Sequence, residues 1–118
     1  APARPAGLPM LLITGTRDTT VPPGAWDDER FTTSSNAEDR FHYTAATAIT
    51  RRWAAAAGCD IRRPATRIDT GTPQAECRST CPASDGRWPT VMDCRAPMGH
   101  EYGLAWSWPL ILDFFDRS

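Results

Sequence analysis

Residues 10–14 read MLLIT, a continuous apolar run that lies between Pro9 and Gly15. A short run without polar alternation is typical of a strand that is buried on both faces of a parallel sheet. A strand of this kind needs helices on either side of its sheet. The run therefore predicts the α/β class of fold, with parallel strands and flanking helices.

Two stretches supply the expected helices. Residues 43–58 have Thr44 as a candidate N-cap and Gly58 as a stop. The closing stretch SWPLILDFFDR, residues 107–117, has Ser107 as its candidate cap and an apolar stripe at helical spacing. Both patterns indicate amphipathic helices that each cover an apolar surface.

The remaining segments divide into short strands and long connections. Residues 65–70 and 90–94 have the length and apolar content of short strands. Residues 1–8 are linker-like, residues 19–41 form a long polar loop, and residues 71–87 form a cysteine-bearing excursion rich in Gly and Pro. Long loops in small domains usually build or cover a site.

Length and charge limit the classes of protein that the chain can belong to. At 118 residues, positions 1–118 suit one domain or part of one. Its 13 basic and 14 acidic residues give a net charge of −1, so we expect neither nucleic acid nor a membrane as a partner. No apolar run approaches the roughly 18 residues that a membrane-spanning helix needs.

Four cysteines lie in the second half of the chain: Cys59, Cys77, Cys81 and Cys94. An even count suits disulfides formed in an oxidising compartment, which favours secretion. The alternative is a zinc site, but only CRSTC places two cysteines close together, whereas structural zinc usually uses two tight pairs. We expect two disulfides and no metal, and three pairings are open.

An acid and an imidazole follow two of the predicted strands. Asp18 comes four residues after the first strand, and His100 follows Gly99 after the last one. Ligands and catalytic groups collect at the carboxyl ends of strands in open sheets. The two residues would make two thirds of a nucleophilic triad, in which the carboxylate orients the imidazole. The simpler alternatives are a turn hydrogen bond for Asp18 and a solvated loop position for His100.

Other polar candidates carry less chemistry. His42 lies beside aromatic residues at a helix entrance, so we expect packing or solvent contact rather than catalysis. The acidic residues 27–29 have no matching cluster elsewhere, so a solvated face is a better interpretation than a calcium site. No motif calls for a cofactor, and we expect none.

Three stretches in this order resemble α/β-hydrolases: LPMLLITGTRDTTVP (8–22), RRWAAAAGC (51–59) and PMGHEYGLAWSWP (97–109). They are similar to the carboxy-terminal part of secreted esterases related to polyhydroxybutyrate depolymerases and feruloyl esterases. The resemblance implies that Asp18 is the triad acid and His100 the triad base. It also implies that Trp26 in the long loop, Trp106 and Trp108 lie near the substrate.

The sequence departs from this family in its nucleophile. The Gly-x-Ser-x-Gly elbow is absent from the chain. The resemblance therefore implies the carboxy-terminal portion of an α/β-hydrolase fold, incomplete on its own, whose partner is the missing amino-terminal half. The implied substrate is an ester, either a short polyester or a hydroxycinnamoyl ester. Glu-Tyr after His100 and four cysteines in place of the usual pair are further departures.

A second hypothesis comes from a different class of protein. The chain would be a truncated hydrolase-like fragment or a non-catalytic, disulfide-stabilised binding module that holds an extended ligand such as a polysaccharide. Its contacts would be Trp26, Trp88, Trp106 and Trp108. Core packing is the competing interpretation for Trp53 and Trp88. The distance between Asp18 and His100 separates these hypotheses.

Overall fold

The structure is a computed structural model that describes residues 8–18, 23, 26, 33–35, 42–83, 86–100 and 104–118. For residues 33–35 and 42–44 it describes the backbone only. The elements in chain order are β1 (Met10–Gly15), β2 (Thr33–Ser35), β3 (His42–Thr44), α1 (Ala46–Ala56), β4 (Thr66–Ile68), β5 (Glu76–Ser79), β6 (Val91–Ala96) and α2 (Ser107–Arg117). Each of the two helices follows a group of three strands, so the chain has a mixed α/β arrangement.

The main sheet has four strands in the order β1-β6-β5-β4. Strand β1 pairs with β6 in parallel, whereas β5 pairs antiparallel with both β4 and β6. The prediction of an α/β fold is confirmed, but the expectation of a parallel sheet holds for one strand pair only. The connection from β4 to β5 spans residues 69–75, which is too short for the crossover of about a dozen residues that parallel pairing needs.

Two strands lie in segments that were expected to lack regular structure. Strand β5 lies inside the 71–87 excursion, and β2 lies inside the 19–41 loop and pairs antiparallel with β3. Polar residues dominate both stretches, so neither has the apolar alternation by which strands are recognised in sequence. Their pairing partners, rather than their composition, make them strands.

The fully buried strand is β6 and not β1. All six residues of β6 are buried, whereas Met10 to Thr14 are only partly so. The expectation that MLLIT is buried on both faces is therefore wrong. Strand β6 has a strand on each side, but β1 pairs, within the part of the chain described, with β6 alone.

The side chains of β6 alternate between two apolar clusters. Met92 and Cys94 pack with Leu110 and Phe114 of α2, whereas Val91 packs with residues of the α1 side. This period of two is that of a strand covered on both faces. Full burial of a side chain such as Leu or Phe contributes roughly 2–3 kcal/mol to folding. The two clusters thus hold the helices against the strand that precedes His100.

The helices agree with the sequence in position and differ at their starts. Helix α1 is shorter than the predicted 43–58, because Thr44 belongs to β3 and Ala45 is the N-cap without a side-chain cap. Gly58 ends it with φ of 84°. Helix α2 begins at Ser107, whose hydroxyl donates to the carbonyl of Leu104 instead of capping the helix.

All four cysteines are paired. The disulfides are Cys59–Cys81, with a Cα separation of 5.1 Å, and Cys77–Cys94, with a Cα separation of 4.0 Å. The first joins the end of α1 to the segment after β5, and the second links directly opposed residues of β5 and β6. The prediction of disulfides is confirmed, and these sulfurs are not available as thiolate ligands for zinc.

Among the helices that the structure describes, none combines the length and the apolar character needed to cross a membrane.

Candidate active site

Asp18 and His100 lie in contact at one end of the sheet. The Nδ1 atom of His100 is 2.7 Å from Oδ2 of Asp18. The Asp18 side chain is 6% exposed and that of His100 is 41% exposed. The structure therefore brings together the two residues that sequence analysis proposed as acid and base, with the carboxylate buried and the ring reaching the surface.

Parallel pairing explains why these two side chains meet. Gly15 of β1 is opposite Ala96 of β6, so both strands end at the same edge of the sheet. The backbone beyond them stays joined: the Thr16 amide donates to the Ala96 carbonyl at 2.8 Å, and the Arg17 amide donates to the Met98 carbonyl at 2.9 Å. Asp18 is the residue after Arg17, and His100 is two residues after Met98. These bonds therefore hold side by side the two segments that carry Asp18 and His100.

The contact sets the chemistry of the ring. An ionised carboxylate only accepts hydrogen bonds. In this contact Nδ1 therefore carries the proton and donates a hydrogen bond to Asp18. In the neutral ring Nε2 then holds the lone pair and is able to accept a proton. A positive charge formed on the ring would lie beside the buried carboxylate, which stabilises it.

The three tryptophans proposed near the substrate lie in different surroundings. Trp106 is partly buried and packs against the cluster below α2, whereas Trp108 is 55% exposed. The Trp26 ring lies under two guanidinium groups, with the Cζ atoms of Arg95 and Arg78 at 3.8 and 4.5 Å from its centroid. Contact of these rings with a substrate stays a prediction.

A buried ion pair that the sequence did not predict lies on the face of β6 that packs against α1. Arg95 donates to Asp93 twice, through Nε at 3.1 Å and through Nη2 at 2.9 Å. The same Nη2 donates to Thr47 of α1 at 2.8 Å, and Thr50 donates to Asp93 at 3.4 Å. Burial raises the pKa of Asp93, and the hydrogen bonds from Arg95 oppose that shift. The sequence signal for this ion pair was the spacing of Asp93 and Arg95 in VMDCRA, because residues two apart in a strand lie on the same face.

Two serines, Ser79 and Ser107, use their hydroxyl groups in hydrogen bonds to the backbone. The Ser79 hydroxyl donates to the carbonyl of Val91, and that of Ser107 to the carbonyl of Leu104. The side chains of Ser34, Ser35 and His42 and the whole of Ser84 lie outside the described residues, as do the acidic residues 27–29. Within the described ranges, no three His, Cys, Asp or Glu side chains are grouped as metal ligands.

Comparisons of the chain with protein-family models, with curated proteins and with solved structures found no match. Its function must therefore be argued from its own residues and their geometry.

Proposed function

We propose that this chain supplies the acid and the base of the Ser-His-Asp triad of a secreted carboxylic ester hydrolase. The observation that carries the proposal is the 2.7 Å contact between Asp18 and His100 at the carboxyl ends of two parallel strands. The sequence resemblance to esterase-type α/β-hydrolases supports it, because the same two residues follow the strands on which that resemblance rests.

In this proposal the nucleophile is a serine of a segment outside these 118 residues. Its Oγ attacks the ester carbonyl carbon while Nε2 of His100 takes the hydroxyl proton. The C–O bond to the alcohol then breaks, and His100 returns the proton to the leaving oxygen. Water enters by the same proton transfer, and the acyl group leaves as a carboxylic acid while the serine is restored.

The burial of the two side chains supports these roles. Asp18 is shielded from water, so its charge acts on the ring at low effective dielectric and stabilises the imidazolium more strongly than a solvated carboxylate would. His100 is more exposed, as a group that exchanges protons with substrate and water must be. Asp18 does not need to accept the proton itself.

The proposed substrate is a short polyester or a hydroxycinnamoyl ester, as the resemblance implies. An aromatic or extended apolar ester would find an exposed ring in Trp108, close in sequence to His100. The two disulfides fit an oxidising compartment, which supports secretion.

One observation favours the alternative of a binding module. Trp108, Leu112 and Phe115 follow one another along α2 at helical spacing and are 55%, 67% and 59% exposed. An exposed apolar stripe of this kind suits an extended ligand without requiring any reaction. Trp88, in contrast, is buried, so it does not contribute to such a surface.

The test is hydrolysis of short-chain and feruloyl nitrophenyl esters by the chain mixed with a separately expressed segment that carries the serine elbow. We expect activity in the mixture only, and its loss in Asp18→Asn and His100→Ala. Asp69→Asn is the matched control, because Asp69 is exposed and its carboxylate accepts a local turn hydrogen bond from Gly71. A well-folded mixture that binds esters without hydrolysing them would favour the binding module.

A further inference from the structure

Gly15 at the end of β1 has no room for a side chain. A Cβ atom at this position would lie 2.8 Å from the carbonyl carbon of Met98, and closer still to the carbonyl oxygens of Met98 and Gly99. Real Cβ atoms essentially never approach other atoms within 3.0 Å. The obstructing atoms are backbone, so they cannot swing aside as the end of a flexible side chain would.

The need for glycine here is one of space and not of backbone angle. The described glycines with positive φ are Gly58, Gly71 and Gly86, and none of these has a neighbour within 4 Å of an added Cβ. Gly15 has the opposite combination: it is not one of the glycines with positive φ, but an added Cβ would meet backbone atoms. Its hydrogen in place of a side chain lets two backbone segments pack directly against each other.

The two segments are those that carry the proposed acid and base. Asp18 is three residues beyond Gly15, and its amide donates back to the Gly15 carbonyl at 3.1 Å. His100 directly follows Met98 and Gly99, and the Met98 carbonyl accepts the Arg17 amide at 2.9 Å. We call the packing of Gly15 against the carbonyls of Met98 and Gly99, together with the hydrogen bond from the Arg17 amide to the Met98 carbonyl, the Gly15 seam.

We propose that Gly15 is a positioning residue for the acid–base pair, because the Gly15 seam sets the separation of the two backbones from which Asp18 and His100 extend. This inference rests on the proposed function for its meaning in catalysis. According to this inference, the backbone packing at the Gly15 seam brings Asp18 and His100 within hydrogen-bond distance. The hydrogen bond between the two side chains is a result of the seam and not its cause.

The size of the expected displacement supports this role. An ordinary contact to a Cβ begins at 3.4 Å, so the separation between an added Cβ and the Met98 carbonyl carbon, at 2.8 Å, would have to grow by 0.6 Å to become ordinary. His100 is two residues further along and moves with it. Reacting groups must be held within about 0.5 Å of their productive positions, so a shift of this size is enough to uncouple the pair.

The experiment is NMR of the full chain with labelled histidine, which observes the proton on Nδ1 of His100. His42→Gln assigns the signal, because His42 is the only other histidine. We expect an exchange-protected Nδ1 proton in the unsubstituted chain and its loss in Asp18→Asn. Gly15→Ala should accelerate exchange of this proton at least tenfold. Gly71→Ala is the control, because it strains a glycine of positive φ without pushing any neighbour.

A second variant keeps the test decisive if Gly15→Ala prevents folding. An ester bond in place of the amide between Thr16 and Arg17 removes the donor to the Met98 carbonyl and adds no atom at Gly15. We again expect faster exchange at Nδ1, with the circular dichroism spectrum unchanged.

A protected Nδ1 proton in folded Gly15→Ala, or in the ester variant, would overturn the proposal. The readout uses no substrate, so it fails separately from the proposed function. An intact Nδ1 proton in a complete enzyme that hydrolyses no ester would count against the proposed function alone.

Discussion

The Nδ1 atom of His100 lies 2.7 Å from Oδ2 of Asp18, although 82 residues separate them in the chain. The two side chains can meet because strands β1 and β6, which precede them, run in parallel and end at the same edge of the sheet. The chain between them passes through α1, β4 and β5 before it returns. The proposed acid and base thus come from distant segments of the chain and are held by adjacent backbones.

If Asp18 is the triad acid as proposed, Asp18→Asn should reduce kcat of the complete enzyme by on the order of 10³–10⁴-fold and leave KM nearly unchanged. The amide cannot stabilise an imidazolium, and it can hold the ring with the proton on the wrong nitrogen. Steady-state kinetics on a nitrophenyl ester measures both constants, with Asp69→Asn as the control. An unchanged kcat would remove Asp18 from the triad.

The sequence was sufficient to predict the class of fold and the meeting of Asp18 with His100. Both follow from local signals: an apolar run that predicts a strand, and polar residues that follow strand ends. Helix α2 could also be predicted from the sequence, because its apolar stripe repeats at the helical period over three turns. These features depend on residues close together in the chain.

The features that escaped prediction depend on tertiary pairing. VMDCRA of β6 contains two charges, so its complete burial is visible only once Asp93 and Arg95 are seen to satisfy each other. Strand β5 is recognised by its partners and not by its composition. The four cysteines allowed three pairings, and only the register of Cys77 opposite Cys94 selects one.

Replacing both Cys77 and Cys94 by Ala should cost more stability than replacing both Cys59 and Cys81 by Ala. The sequence separations of 17 and 22 residues predict a similar loss of roughly 3 kcal/mol for each disulfide from chain entropy. Cys77 and Cys94 are both almost completely buried, whereas Cys59 of the other pair is only partly buried, so removing Cys77–Cys94 leaves the larger cavity. Urea unfolding at equilibrium measures the difference. Equal losses would show that packing around Cys77–Cys94 adds nothing.

The stability difference between the unsubstituted chain and Asp93→Asn should depend on pH in the direction opposite to most carboxylates. Burial raises the folded-state pKa of Asp93 above its ordinary value of 3.8. The folded state therefore binds this proton more tightly than the unfolded state does. As the pH rises from 3.8 through the raised pKa, the contribution of Asp93 to stability falls.

Urea unfolding of both chains between about pH 3 and pH 7 tests the sign. Asn does not titrate, so subtracting its curve isolates Asp93 from the other carboxyl groups. A stability advantage of the unsubstituted chain that grows with pH would mean that the hydrogen bonds from Arg95 outweigh burial.

Phe114→Ala and Phe115→Ala should differ widely in stability although the residues are adjacent. Phe114 is completely buried in the cluster below α2, whereas Phe115 is 59% exposed. Phe114→Ala should lower the free energy of unfolding by about 3–5 kcal/mol. Phe115→Ala should change it by no more than about 0.5 kcal/mol. Thermal or urea unfolding measures both. A large cost for Phe115 would indicate that its side of α2 is packed against something in solution.

Trp108→Ala tests whether the exposed start of α2 belongs to the substrate site. The ring is 55% exposed, so its loss should leave the free energy of unfolding nearly unchanged. If it contacts the ester, KM for a feruloyl substrate should rise about tenfold, because one aromatic contact contributes roughly 1–1.5 kcal/mol. Leu112→Ala is the matched control, since Leu112 is exposed on the same face of α2 and lies one turn further along the helix. An equal rise of KM in both variants would show that the whole exposed face of α2, and not the position of Trp108 alone, contacts the substrate.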